Sequence, residues 1–274
     1  MTQVRVSLCS DIPSYCPAHA ENRMRGEGDV VAAREDYFQR ASDNLRSLLH
    51  NRYDWMNRYV GPGSLGLDVG CGTGLSREFI RCRRLFLSDF VPRDFLDVAG
   101  VNALQLPFAA GSFDFLVASN VIHHLSSPLL FFEEARRVLR AGGFLLIHEV
   151  HASLLFRAVL RMMRHEGYSF DVNVFDCLPA ASDPADPWSG NNAVPRLLFD
   201  DHAAFLRSAP GWEILRDERF ECLMFLNSGG VTAKTAYLPL PRPLLRAVER
   251  LDEVLVRLAP NVFALGRRIA LRSK

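Results

Sequence analysis

Two hydrophobic periods run along this chain. Residues 30 to 60 carry Phe38, Leu45, Leu48, Leu49, Trp55 and Tyr59 at helical spacing, which predicts one or two amphipathic helices ended by Gly61-Pro62-Gly63. From there the short apolar runs "SLGLDV", "RLFLSD", "FDFLVAS" and "GGFLLIHEV" have strand length. Between them lie segments of helical pattern: a helix from Leu75, a short one near Pro92, and "PLLFFEEARRVLR". Strands alternating with helices predict βαβ units on a parallel sheet, an α/β fold. The helix over 128–140 is marked by Ser126 and Ser127 as caps, Pro128 in its first turn, arginines in its last, and Gly142-Gly143 as its stop.

After Val150 the pattern loosens into an Arg-rich apolar helix ("LLFRAVLRMMRH") and a turn-rich stretch. That helix is expected to pack on the core, with an apolar acceptor pocket or contact to a membrane surface as its other uses. Regular structure resumes with a strand over 211–225, the loop "NSGGVTAKTAYLPLPRP", the helix "LLRAVERLDEVLVRL" and a last strand near "FALGRRIALR". The pattern divides the chain into an N-terminal helical lid (1–62), a core (63–150), a substrate-side insertion (151–199) and a C-terminal return to the core with an inserted loop and helix (200–274). Gly229-Gly230 could hinge that loop, and Lys234 could meet an anionic group.

Composition narrows the class. A chain of 274 residues with 49% hydrophobic side chains can fill a proper core. Basic and acidic residues number 32 and 31, so no net field recruits nucleic acid, and no basic groove interleaved with aromatics is visible. The first residues lack the charged flank and apolar core of a leader, and no apolar run reaches the roughly 18 residues that span a bilayer. A cytoplasmic location is therefore expected, and Cys9, Cys16, Cys71, Cys82, Cys177 and Cys222 are expected as free thiols. Cys9, Cys16 and His19 form an incomplete ligand set, so no metal is expected. The pattern sets no oligomeric state.

The chemistry concentrates in "LDVGCGTG". Gly70, Gly72 and Gly74 follow a strand and precede a helical pattern, the setting in which backbone approaches a ligand closely. A dinucleotide fingerprint would need its third glycine at Leu75. Asp68, two residues before the first glycine, would repel a pyrophosphate and welcome a cation. Asp89 falls at the end of the next strand, where a carboxylate can hold both hydroxyls of a ribose. A ligand with a ribose, a cation and no phosphate fits these residues.

With "LFLSDF", "NALQLPFAAGSFDFLVASNVIHHL" and "RRVLRAGGFLLIHE" following in order, the chain resembles the class I S-adenosylmethionine-dependent methyltransferases, of the small-molecule type related to ubiquinone-biosynthesis methyltransferases. The resemblance covers roughly residues 64 to 150. It implies a Rossmann-like, doubly wound, mostly parallel seven-stranded sheet with helical lid insertions, and S-adenosylmethionine as cofactor. It implies that Asp68, Gly70, Gly72 and Gly74 line the methionine end and that Asp89 holds the ribose. It places Asn102 and Ala103 at the adenine and Asn120 beside the sulfonium. Asn102 stands where the family usually has an acid, and its carbonyl can accept the same bond.

The expected activity is methyl transfer to a small-molecule acceptor through an oxygen, nitrogen or carbon nucleophile, in specialised metabolism or in envelope glycan or lipid synthesis. A base is needed only if the nucleophile arrives protonated, and the candidates are His124, then His148 and His151. Two alternatives keep the cofactor: a non-catalytic regulatory protein, and a cyclase or isomerase on the same fold.

Overall fold

A computed structural model describes residues 12–17, 30–164, 166–176, 181–183, 189–232 and 234–274. Seven strands form one sheet: β1 (Leu65–Val69), β2 (Arg84–Asp89), β3 (Val98–Ala99), β4 (Phe113–Ser119), β5 (Leu139–Val150), β6 (Trp212–Phe220) and β7 (Gly266–Ser273). Their order is β3-β2-β1-β4-β5-β7-β6. The first five run parallel, and β7 lies antiparallel between β5 and β6. The order reverses between β1 and β4, and ligands of such sheets bind beyond the carboxyl ends of the strands at that reversal.

The strands are continuous apolar runs because both faces are covered. On one face Leu67, Leu116, Leu145 and Ile147 pack against Phe131, Phe132, Ala135 and Val138 of helix α3 (Pro128–Val138). On the other, Phe115, Val117 and Leu146 meet Leu45, Leu48 and Leu49 of α2 (Asp43–Tyr53), which follows α1 (Val30–Arg40). Successive residues of one strand thus serve opposite cores, the period of two expected of pleated backbone. Ser42 caps α2 by accepting from the Leu45 amide at 3.1 Å. A Cβ on Gly66 would overlap the ring of Phe115, so glycine lets β1 and β4 pair there.

Several expectations about local structure need correction. The segment after Leu75 is one 3-10 turn (Leu75–Glu78), and the short strand β3 follows Pro92 with no helix between. α3 ends at Val138, because Leu139 already pairs with Phe113; Gly142 and Gly143 lie inside β5. Ser127 makes no side-chain cap, while Pro128 does occupy the first turn. β6 stops at Phe220, and Leu223–Leu226 form the helical turn α7. There Asp252 accepts the amides of Cys222, Leu223 and Met224 at 2.8–3.0 Å, so a carboxylate rather than a neighbouring strand satisfies them.

Beyond β5, α4 (Leu154–Met163) buries Phe156, Val159 and Leu160 and exposes Leu154 and Met162. Two short helices, α5 (Val194–Phe199) and α6 (His202–Ser208), lead into β6. Asp252 belongs to α8 (Arg242–Leu258), which continues into the short α9 (Pro260–Phe263) and β7. Among the described residues no helix is long and apolar enough to cross a membrane.

Candidate functional site

The turn after β1 closes through Gly74 N–H to the Cys71 carbonyl at 2.8 Å and is tied to β2 by Cys71 N–H to the Ser88 carbonyl at 2.9 Å. Gly72 sits at a φ of 52° with open space where a Cβ would project, so its backbone can be approached from outside the sheet. Gly70, at 64°, has Val121 packed against it. α1 reaches the same turn: Arg34 donates to the Thr73 carbonyl at 2.7 Å, with its guanidinium over Phe38 and Phe95. Lys234 pairs with Asp36 of α1 at 3.0 Å, so the segment between α7 and α8 is fastened to α1.

Two buried carboxyl groups flank this turn. Asp68 is buried and accepts from the Ser76 hydroxyl, while its other oxygen has no partner. Burial pushes its carboxyl up to about 7. Asp89 accepts from Gly72 N–H at 2.9 Å and Val91 N–H at 3.0 Å, and Arg93 approaches it at 3.2 Å. With Gly72 N–H turned to a carboxylate and two acids flanking the turn, a phosphate finds repulsion where a dinucleotide loop would offer free amides.

Asn120 ends β4 at a φ of 55°, its amide bound to the His148 carbonyl at 2.8 Å and its side-chain oxygen buried without a partner. Asn102 is exposed and its carbonyl oxygen accepts from Leu104 N–H at 2.9 Å, which leaves one lone pair free; Ala103 beside it is buried. Tyr53 donates to the Ser119 hydroxyl at 3.2 Å, and burial together with the charge of Asp68 pushes its phenol up to about 12. No local pattern announces Tyr53 or Arg34, since both arrive from helices whose register on the sheet is set by distant packing.

The histidines separate into two environments. His123 and His124 follow β4 with their rings 4.2 Å apart. The Nδ1 of His123 meets Glu149 at 2.6 Å, and that of His124 meets the Ser189 carbonyl at 3.1 Å. Burial alone would lower His123, but the charge and hydrogen bond of Glu149 and the nearby charge of Glu166 outweigh it and raise the imidazole to about 10. Burial and the neighbouring charge of His123 lower His124. Glu166 faces both rings, and the three side chains bring one ligand atom each within 4.8 Å. His148 and His151 are enclosed, with no hydrogen-bond partner on any ring nitrogen. Burial, then Arg52 and Arg268, push His148 well down; burial, then Arg267 and Arg196, lower His151 to about 3. Of the ligand set expected to be incomplete, Cys16 is exposed, and Cys9 and His19 lie outside the described residues.

Comparison with known proteins follows the same lines. Residues 67–147 match a family model described as a methyltransferase domain. The chain is 26% identical over 244 residues to a demethylmenaquinone methyltransferase of Mycobacterium sp. (strain KMS), covering 78% of this chain and 93% of that one. It is 28% identical over 169 residues to the tRNA (carboxymethyluridine(34)-5-O)-methyltransferase alkbh8 of Xenopus tropicalis, covering 53% of this chain and 27% of that one. The chain spans between 27% and 53% of the length of the first four curated relatives it matches. A solved S-adenosylmethionine-dependent methyltransferase from Archaeoglobus fulgidus shares the fold at a TM-score of 0.50 and 17% identity, over 88% of this chain and 98% of that one. The seven-stranded sheet and the glycine turn at its reversal point are those of the Rossmann-like methyltransferase fold, and residues 67–147 match the methyltransferase domain. The family model and the solved relative imply S-adenosylmethionine as cofactor.

Proposed function

We propose that the protein transfers a methyl group to a small-molecule acceptor bound beyond the carboxyl ends of β1 and β4. The observation that carries this reading is the pair of buried oxygens without partners, on Asp68 and Asn120, flanking a glycine turn that is open at Gly72. Such oxygens call for a donor-bearing or cationic ligand, because an unpaired buried acceptor is costly. S-adenosylmethionine fits, and when bound it supplies a methyl carbon whose bond to sulfur breaks, the electron pair going to sulfur as the acceptor's lone pair forms the new bond.

In this reading Asp68, Gly70, Gly72 and Gly74 line the methionine end and Asp89 holds the ribose. Asn102 and Ala103 bound the adenine, and Asn120 orients the reacting end. If the acceptor is a hydroxyl, its proton passes to Nε2 of His124. His148 and His151 stand behind it as reserves, each needing an opening of the core before it could reach a substrate. A small acceptor is supported by the mycobacterial relative, which this chain covers almost end to end, and by the balanced charge.

Calorimetry tests the cofactor. S-adenosylhomocysteine is expected to bind and NAD to bind far more weakly; NAD at equal or greater affinity would sink the assignment. Asp89→Ala should lose roughly 1.5–3 kcal/mol of that affinity, the range for hydrogen bonds to a charged group. Incubation with labelled cofactor and fractionated cell extracts then tests transfer, and binding without label transfer to any fraction would favour the regulatory or cyclase alternative.

Asp68 predicts a pH dependence. A cationic ligand binds the carboxylate form, and in the free protein that carboxyl titrates near 7. Affinity for S-adenosylhomocysteine should therefore rise with pH through 7 and level off above it, losing about tenfold between pH 8 and pH 6. Asp68→Asn should bind weakly and without this slope. A slope unchanged in that variant would assign it to another group.

A further inference from the structure

The loop after β4 carries an arrangement that methyl transfer by itself does not require. Nε2 of His123 lies 3.6 Å from one carboxylate oxygen of Glu166, and Nε2 of His124 lies 3.7 Å from the other. Both distances exceed the about 2.7–3.2 Å of an N–H···O bond. Two ligands held at about 2.0–2.2 Å by one tetrahedral ion stand about 3.3–3.6 Å apart. One ligand atom from each of the three side chains lies within 4.8 Å of the others, so a small rotation of Glu166 lets one of its oxygens and both imidazoles share an ion.

The far side of each ring strengthens the case. Metal-bound histidines donate their second ring nitrogen to a carboxylate or a backbone carbonyl, which fixes the tautomer and aims the free nitrogen. Here Glu149 holds Nδ1 of His123 at 2.6 Å and the Ser189 carbonyl holds Nδ1 of His124 at 3.1 Å. A carbonyl can only accept, so Nδ1 of His124 carries its proton and Nε2 offers a lone pair. Asn192 steadies Glu166 from outside, donating to one carboxylate oxygen at 2.9 Å. The His123 side chain is 3% exposed, whereas Glu166 and His124 are 15% and 21% exposed, which leaves one side of the group accessible.

We propose that His123, His124 and Glu166 bind one divalent transition-metal ion, tetrahedral and zinc-like, with its fourth position open. Two imidazoles and a carboxylate are the donor set of an open zinc site, whereas magnesium and calcium take oxygen ligands, and the ion takes the place of the Nε2 proton of His123, which passes to solvent. This departs from the expectation of no metal, which rested on the N-terminal cysteines. The role of the ion rests on the methyl-transfer reading, although its binding does not. The histidines stand three and four residues after Asn120, which puts the ion on the loop that leaves β4 at the carboxyl edge of the sheet. An acceptor hydroxyl placed there loses its proton to solvent more readily. Nε2 of His124 then serves as a ligand instead of a base.

The test uses the whole protein, stripped with chelator and titrated at pH 8 with Co²⁺ alone, then with Zn²⁺ in competition. We expect one Co²⁺ per chain, with the intense visible bands of tetrahedral coordination, displaced by one Zn²⁺. Those bands should vanish in His124→Ala and in Glu166→Gln and persist in Cys16→Ser. Glu149→Gln should bind the ion about 10–100-fold more weakly, the usual cost of losing an orienting partner. S-adenosylhomocysteine calorimetry on the same samples reports that each variant is folded. Its failure on the unmodified protein would count against the cofactor reading and leave the metal result standing. Absence of stoichiometric cobalt, bands that survive Glu166→Gln, or bands lost in Cys16→Ser would each overturn the site.

Discussion

In the chelator-treated protein, where Nε2 of His124 carries no metal, His124→Ala is expected to slow methyl transfer to a hydroxyl acceptor about 10²–10⁴-fold, the range for a lost general base, with cofactor affinity nearly unchanged. Three features single out this residue. Its Nδ1 is committed to the Ser189 carbonyl, so the neutral ring presents a basic Nε2. Burial and the charge of His123 keep its pKa below the ordinary 6.5, so the ring is neutral at pH 7 and ready to accept a proton. It is also the one of the three candidate histidines whose side chain is partly exposed, at 21%. The sign for pH follows: the rate should fall as the imidazole protonates, on an acid limb below pH 6.5. Loss of that limb together with rate in His124→Ala distinguishes proton transfer from a structural role. Wild-type turnover in the variant would remove His124 from the mechanism and point to an amine or an already ionised acceptor, for which alignment alone suffices.

How much of this could be seen in the sequence depends on how local each feature is. The strands around "LDVGCGTG", "RLFLSD" and "FDFLVAS" are legible because a fully covered parallel strand must be apolar throughout, whichever partner covers it. The order of motifs along 64–150 carried the class and the cofactor, since Asp68, the glycines, Asp89 and Asn120 each sit at the end of one recognisable strand. Helix from Leu75 failed for a local reason: the next strand starts at Arg84, so after the glycine turn only a single 3-10 turn fits. The strand expected through Phe225 failed for a distant one, because Asp252 lies 28 to 30 residues away from the amides it captures. Glu166 was invisible on the same ground. Its meeting with His123 and His124 depends on how residues 151–199 fold back over the sheet, and nothing in "RHEGYS" announces a partner 42 or 43 residues earlier.

Glu149 joins fold and site most directly, and its removal should cost about 3–5 kcal/mol of stability, the range for breaking one partner out of a buried charged pair. Its Oε1 accepts the amides of Val121 and Ile122 at 2.8 and 2.6 Å, and its Oε2 faces Nδ1 of His123 at 2.6 Å. The side chain is fully buried. In Glu149→Ala the amides of Val121, Ile122 and Val150 and the imidazolium of His123 lose a buried partner, and the turn that holds Asn120 loses its anchor. Glu149→Gln separates these contributions, since its amide oxygen still accepts from the two backbone donors while its charge is gone. The pH course gives the check. His123 is raised from 6.5 to about 10 in the folded chain, so its contribution is fully present below pH 6.5 and is lost as pH rises toward 10. The stability difference between the chelator-treated parent protein and Glu149→Gln, measured by denaturant titration, should therefore be largest at pH 6 and shrink as pH approaches 10. A difference that stays constant over this range would mean that Glu149 anchors the loop through its two amide bonds alone and that the pairing with His123 contributes nothing to the fold.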